Sequence, residues 1–210
     1  MRCVPRALRT VYTVLVCVLV PVYVWRYGFG TFLWFSNIAL LTTLAAIWLR
    51  NRLLLSMMAL AVFLPEIGWN LAFWARLLFG VDLFGLLDYM FAEQVELWAR
   101  VLSLYHVPLP VVLLWLVWRC GYDPRALTWQ TLVAWIVLTV SFAVSRPQHN
   151  INLVYGLLDE MRRPVIQPPL PFLLLITGVP LVVYWPTHVL FKRCFTRASL
   201  PPTGSEGRIP

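Results

Sequence analysis

Long apolar stretches alternate with short polar or charged connections along almost the whole chain. They occupy about residues 7–25, 31–49, 53–79, 97–118, 131–144 and 170–191. About 20 mostly apolar residues in a helix suffice to cross the hydrocarbon core of a bilayer. The pattern therefore predicts an all-α fold, a polytopic membrane bundle of six transmembrane helices within residues 1–196.

Composition supports a membrane protein and argues against a soluble one. Of the 210 residues, 60% are hydrophobic and 12% are charged, whereas soluble domains carry about 25% charged residues. The net charge of +8 could suggest a nucleic-acid partner, but the arginines cluster at the ends of apolar stretches. That placement is typical of membrane topology, so we expect the lipid bilayer, and no nucleic acid, as the partner.

The distribution of positive charge predicts the orientation in the membrane. With six crossings, both termini share one side with the loops at 50–52 and 119–130, and that side holds eleven of the 17 Lys and Arg residues. Cytoplasmic loops carry the excess of Lys and Arg, so both termini should be cytoplasmic, in the cell membrane. The polar tail 197–210 should be disordered there. Three of the four cysteines fall on this side and Cys17 within a span, so no disulfide is predicted.

The fourth apolar stretch contains a histidine near its middle, followed by two prolines. An ionisable group at that depth is expensive to bury and marks a candidate functional site. Pro110 cannot accommodate the carbonyl of His106 in the helical ladder, and Pro108 has no N–H for the carbonyl of Leu104. Freed carbonyls inside a membrane need protein or water partners, so we expect polar groups around His106.

Further polar side chains fall at a similar depth, in the outer half of the membrane. They are Ser36, Asn37, Glu66, Asn70, His149, Asn150 and Asn152. Glu66 and Asn70 are four residues apart and project from one helical face. An outer connection joins this helix to the one that contains His106, so we expect antiparallel packing with Glu66 and His106 at one depth.

Such a set is suited to acyl chemistry on a lipid ester that enters from the bilayer. The predicted catalytic residues are His106 as general base, Glu66 as the group that orients it, and Ser36 as nucleophile. The predicted substrate-binding residues are Asn37, Asn70, His149, Asn150 and Asn152. The leading hypothesis is therefore a polar pocket in the outer half that binds a lipid or another apolar small molecule, and that hydrolyses or transfers acyl groups.

Other interpretations of the same residues remain open. Glu66 and His106 could be a structural pair, and the asparagines could join helices by hydrogen bonds. A proton-coupled or small-molecule transporter also uses an intramembrane Glu and His, and a non-catalytic membrane subunit needs neither. A metal site of Glu66, His106 and His149 lacks any short ligand spacing, so neither a metal nor another cofactor is predicted.

Four segments resemble a known family. They are GFGTFLWFSNIALL, the FLPE…W of the third stretch, LYHVPLP and HNINLVYGLLDE, and together they are similar to the androgen-induced family of six-helix membrane hydrolases and to related bacterial six-helix membrane proteins. The resemblance implies hydrolysis of lipid esters within the membrane, by a histidine that corresponds to His106 and a threonine in the second helix. Trp34 stands at the threonine position, and Ser36 is the neighbouring hydroxyl.

Overall fold

The structure, a computed structural model, describes residues 4–83, 87–156 and 163–195. Within these ranges the chain folds into helices and no β-strand occurs, so the predicted all-α fold is confirmed. The α-helices are α1 (Arg6–Tyr27), α2 (Phe35–Leu49), α3 (Arg52–Phe79), α4 (Asp88–Phe91), α5 (Leu97–Ser103), α6 (Leu109–Cys120), α7 (Ala126–Val144), α8 (Leu170–Gly178) and α9 (Trp185–Phe195). Turns of 3-10 helix cover Phe29–Leu33, Leu104–His106 and Ile151–Leu153, and a π-helix covers Val179–Tyr184.

Five of the predicted spans are confirmed as helical segments long and apolar enough to cross a membrane. They are Arg6–Tyr27, Arg52–Phe79, Leu97–Cys120, Ala126–Val144 and Leu170–Phe195. The segment predicted at 131–144 begins earlier, at Ala126, and is therefore not a short one. The segment predicted at 31–49 is different, because its α-helix has 15 residues and a 3-10 turn precedes it. Six crossings stay a prediction.

Helix α3 is the centre of the bundle. It packs against α2, α6, α7 and α9, and every residue from 55 to 62 is buried. Ser56 and Ala59 are fully buried, and such small side chains let neighbouring backbones approach closely in membrane bundles. The outward faces, by contrast, are apolar: Val11, Leu71, Val111, Ile136 and Val182 are each more than half exposed. A surface of this kind is suited to lipid rather than to water.

The described beginning and end of the chain lie at the same end of the bundle. The guanidinium of Arg9 in α1 lies 4.8 Å from the Trp48 ring at the end of α2. Arg52, at the start of α3, lies 4.0 Å from Asp123, and the N–H of the residue before Asp123 donates to the carbonyl of Phe195 at 3.0 Å. We call this the arginine-rich end. The tail 197–210 lies outside the described residues.

A buried carboxylate closes the arginine-rich end. The backbone N–H of Asp123 donates to the Ser56 hydroxyl at 2.9 Å, and Arg125 donates to both carboxylate oxygens, at 3.1 and 2.9 Å. The hydrogen bonds from Arg125, with smaller contributions from the charges of Arg125 and Arg52, hold the pKa of Asp123 below its usual range even though burial opposes the shift. The loop between α6 and α7 is thereby fixed to α3.

One cysteine at this end departs from the prediction of no disulfide. Cys120 is disulfide-bonded, whereas Cys17 and Cys194 are free. Disulfides persist in oxidising compartments, so this bond bears on the orientation of the chain.

Candidate functional site

A break between α5 and α6 positions His106. The chain leaves α-helical geometry after Ser103, forms a turn of 3-10 helix over Leu104–His106, and resumes as α6 at Leu109. The carbonyl of Leu104, which Pro108 deprives of its helical donor, accepts from the N–H of Val107 at 3.0 Å. The break therefore follows from the two prolines, because the tighter turn supplies the donor that a regular helix could not.

Asn70 satisfies the second carbonyl that proline leaves free. Its side-chain Nδ2 donates to the carbonyl oxygen of His106 at 3.0 Å and to that of Glu66 at 2.8 Å. The predicted polar partner for this carbonyl is therefore present. Because both acceptors are carbonyl oxygens, they require the NH₂ group of the amide, and this fixes which way the Asn70 side chain faces.

Glu66 and His106 form a buried pair. The His106 Nδ1 lies 2.8 Å from Oε2 and 3.1 Å from Oε1 of Glu66. The side chain of Glu66 is 4% exposed and that of His106 is 12% exposed. A buried ionisable group is tolerated when it is paired in this way, so the pair is an energetic unit: removal of either partner would leave the other without compensation.

Two aromatic rings lie nearly parallel to the imidazole. The Trp69 ring lies 4.7 Å from it, centroid to centroid, at an interplanar angle of 18°, and the Tyr105 ring lies 4.2 Å away at 26°. The Trp69 Nε1–H in turn donates to the hydroxyl of Tyr89 at 3.2 Å. These contacts, together with the bond to Glu66, restrict rotation of the His106 side chain about its torsions.

The second ring nitrogen of His106 is available. Within the described ranges no hydrogen bond is made by Nε2, and this atom is not among the fully buried side-chain atoms that lack a partner. Nε2 thus has no partner within the described chain, while Nδ1 is occupied by the carboxylate. A histidine held in this manner can take up or release a proton at Nε2.

Among the described residues, Ser36 and Asn37 contact the site through Tyr105 and not directly. The hydroxyl of Tyr105 donates to Oδ1 of Asn37 at 2.7 Å and also interacts with the Ser36 side chain. The Asn37 amide donates to the carbonyl of Thr31 at 2.8 Å. No hydrogen bond links either Ser36 or Asn37 to His106 in the part of the chain that the structure describes. The structure thus does not bring the predicted nucleophile and base into direct contact.

Asn150 and Asn152, which follow the fifth predicted span, form hydrogen bonds with backbone groups. Asn150 donates to the carbonyl of Gly156 at 2.8 Å and accepts from the N–H of Tyr155 at 2.9 Å. Asn152 accepts from the N–H of Phe35 at 3.0 Å and donates to the carbonyl of Leu33 at 2.7 Å. His149 is exposed. None of these hydrogen bonds leads to the His106 pair, so the structure brings Asn70 to that pair but not this group.

Sequence reasoning missed the aromatic members of the site, although signals for two of them were present. Trp69 follows Glu66 by three residues and therefore shares its helical face, and Tyr105 directly precedes His106. Neither of them is among the predicted site residues. Tyr89 comes from the short helix α4, whose position depends on the packing of the connection between α3 and α5, and no local pattern pointed to it.

An apolar groove of about 410 Å³ lies beside the pair, between α3 and α6. Its lining residues are Phe63, Ile67, Asn70, Leu71, Trp74, Val107, Pro110, Val111 and Leu114. Asn70 is the one amide in this set, Trp74 adds an indole N–H, and the other lining side chains are wholly apolar. The groove thus differs in character from the polar pocket that was predicted, since Glu66 and His106 are not among its lining residues.

Among the described residues, no group of three His, Cys, Asp or Glu side chains is arranged to hold a metal ion. A comparison of the chain with protein-family models, with curated proteins and with solved structures finds no match.

Proposed function

We propose that this multi-pass membrane protein is an enzyme that hydrolyses or transfers acyl groups of lipid esters within the membrane. The observation that carries the proposal is the geometry of His106: Nδ1 is held by a buried carboxylate, while Nε2 makes no hydrogen bond within the described chain. The same relation between carboxylate and imidazole is used by general bases in acyl-transfer enzymes, where the carboxylate orients the ring and stabilises its charged form.

The reaction would run through a proton carried by His106. Nε2 takes the proton from an attacking hydroxyl as its oxygen bonds to the ester carbonyl carbon, and Glu66 stabilises the imidazolium that results. The imidazolium then gives its proton to the leaving alkoxide as the ester C–O bond breaks, which releases an alcohol. Because Ser36 meets Tyr105 and not His106, a water molecule or a lipid hydroxyl is the attacking group that this geometry favours over Ser36.

The alternatives predict different surroundings for the pair. A transporter needs a polar route that continues toward the arginine-rich end. There, Tyr184 accepts from Gln130 at 3.4 Å, Thr187 donates to the carbonyl of Val183 at 2.7 Å, and His188 pairs with Tyr122 at 2.8 Å. Such internal pairing supports a packing role for these side chains. We therefore favour an enzyme over a transporter or a non-catalytic subunit. We also propose that the protein is related to the androgen-induced hydrolases that its sequence resembles.

We also propose six crossings, with both termini in the cytoplasm and the protein in the cell membrane. The positive-inside pattern supports this orientation, and the shared position of both chain ends at the arginine-rich end supports an even number of crossings. The disulfide-bonded Cys120 favours the opposite orientation, because it lies at the same end. The charge pattern extends over many residues and the disulfide is one bond, so the proposal follows the charge.

The test of the enzymatic proposal uses His188 as a matched control. His188 is buried and engaged through Nδ1, as His106 is, but it lies near the arginine-rich end. Purified protein in nanodiscs would be assayed for release of fatty acid from a panel of neutral lipid esters. We expect H106Q to lose at least 100-fold in kcat, since general-base catalysis contributes about 10²–10⁴, and E66Q to lose less, while H188Q keeps the wild-type rate.

Two results would overturn the proposal. One is a wild-type protein that converts none of the esters under conditions in which it is folded and monodisperse. The other is equal activity of H106Q and H188Q. Replacement of Ser36 by Ala would identify the attacking group, because unchanged kcat excludes a seryl intermediate.

A further inference from the structure

We propose that the groove between α3 and α6 binds the hydrocarbon chain of a neutral lipid that carries a free hydroxyl group, and that Asn70 Oδ1 accepts the hydrogen bond from this hydroxyl. The inference rests on the proposed function and deepens it, since it names the class of lipid that the His106 pair acts on and the place where that lipid lies.

The walls of the groove match a hydrocarbon chain in size and polarity. The α3 wall runs from Phe63 to Trp74, about 16 Å at 1.5 Å of rise per residue. The volume of about 410 Å³ is within the range of small-molecule sites, roughly 300–1,000 Å³. Leu71 and Val111 at its rim are 64% and 67% exposed. The groove therefore opens toward the lipid tails and not toward another helix of the described chain.

The charge of the ligand follows from what the groove lacks. None of its lining residues, all within the described ranges, is acidic, basic or a histidine. A charged headgroup inside it would be desolvated with no counter-charge, which is strongly unfavourable. The neighbouring carboxylate of Glu66 is already paired with His106. A neutral lipid is consequently the class that fits.

The hydrogen bonds of Asn70 indicate that the ligand carries a hydroxyl group. Nδ2 is committed to the carbonyls of Glu66 and His106, so the amide cannot turn over. Within the described chain Oδ1 accepts no hydrogen bond, and it is not a fully buried atom. Asn70 therefore offers the groove an acceptor, and an acceptor is complementary to a hydroxyl but not to an ester or an ether.

The position of Asn70 connects the groove with the His106 pair. The same side chain lines the groove and binds the carbonyl of His106. Val107 and Pro110, which also line the groove, follow His106 closely in the chain. A lipid whose hydroxyl meets Asn70 would therefore have its polar end near the imidazole and its chain along α3 and α6.

The experiment uses the full-length protein in phosphatidylcholine nanodiscs and a diazirine-labelled hexadecanol as the probe. After photolysis, labelled peptides are identified by mass spectrometry. Unlabelled hexadecanol and hexadecyl methyl ether then compete with the probe, since the ether has the same chain but no donor. We expect labelling of α3 and α6 peptides at the groove, and competition by the alcohol at a concentration roughly fivefold lower than by the ether, as for one hydrogen bond.

Matched variants test the location. Leu71 lines the groove and Ile136 lies on the surface of α7, and both are 64% exposed. We expect L71W to reduce groove labelling several-fold and I136W to leave it unchanged. Labelling spread evenly over the lipid-facing helices, equal competition by alcohol and ether, or equal effects of the two variants would overturn the inference.

The H106Q variant separates this inference from the proposed function. Groove labelling of H106Q at the wild-type level supports the inference even if no ester is ever hydrolysed. Ester hydrolysis by the wild type without groove labelling would leave the enzymatic proposal intact and overturn the inference.

Discussion

At the scale of single residues, the break before α6 is stabilised by one amide. Pro110 leaves the carbonyl of His106 without a helical donor, and Asn70 supplies the donor from α3. An unpaired buried carbonyl costs about 1–3 kcal/mol, and this cost is the reason that an asparagine and a proline on different helices act as a pair.

A double-mutant cycle tests this pairing. N70L should lower the free energy of unfolding by about 1–3 kcal/mol in the wild-type background, because the carbonyl of His106 loses its donor. In the P110A background the loss should be smaller, since alanine has an N–H for the His106 carbonyl. Unfolding in mixed micelles gives both values. Equal losses in the two backgrounds would mean that Asn70 stabilises the protein in another way.

Asp123 gives a pH prediction at the same scale. Its pKa is lowered in the folded protein, so its contribution to stability is complete above the unfolded pKa, about 3.9. The contribution is lost as the pH falls from that value through the lowered folded pKa. The Tm of the wild type should therefore decrease as the pH falls below about 4, and D123N should have a lower Tm at pH 7 and a flatter profile. A D123N profile parallel to that of the wild type would contradict this.

At the scale of elements, α2 begins with help from a distant loop. Residue 34 precedes the helix and provides no side-chain cap, and Asn152 instead accepts from the N–H of Phe35. This cap holds the 3-10 turn Ile151–Leu153 against the start of α2. The loop that follows α7 is thereby attached to the second apolar segment.

The cap predicts a structural effect for a residue that the sequence suggested as substrate-binding. N152A should destabilise the protein by about 0.5–2 kcal/mol, as the loss of a helix cap does, and should speed hydrogen exchange of the amides at 35–38. N51A removes the side-chain cap of α3, in which Asn51 accepts from the N–H of Leu54, and serves as the control, with faster exchange there instead. If N152A changed KM and not exchange, the residue would belong to the substrate site.

At the scale of the whole molecule, whether α2 crosses the membrane decides whether the number of crossings is even or odd. Its 15 residues give about 22 Å of helix, and the preceding turn Phe29–Leu33 adds about 10 Å at the rise of a 3-10 helix. Together they match a hydrocarbon core of about 30 Å. With this crossing both termini share a side, and without it they lie on opposite sides.

Reporter tags at the two termini measure that parity. We expect N- and C-terminal tags to be protected from protease together in intact cells, and a membrane-impermeant maleimide to reach the free Cys194 only after permeabilisation. Tags on opposite sides would remove α2 from the set of crossings. Labelling of Cys194 in intact cells would reverse the orientation and would agree with the disulfide at Cys120.

The amino-acid sequence by itself determined the elements and the depth of the polar side chains. Hydropathy over about 20 residues identifies a span, and the 1.5 Å rise per residue fixes how deep Glu66 and His106 lie once their helices are antiparallel. The two prolines located the break for an equally local reason. These features depend on neighbours in the chain, and the common depth of Glu66 and His106 was predictable from them, whereas their contact was not.

The tertiary structure alone decided how each helix is rotated and therefore which polar groups meet. Rotation depends on how neighbouring surfaces pack, and no single stretch encodes it. Packing placed Asn37 on Tyr105 and Asn152 on the start of α2, away from the imidazole. It also put Trp69 and Tyr105 beside His106 and left an apolar groove on the other side of Asn70.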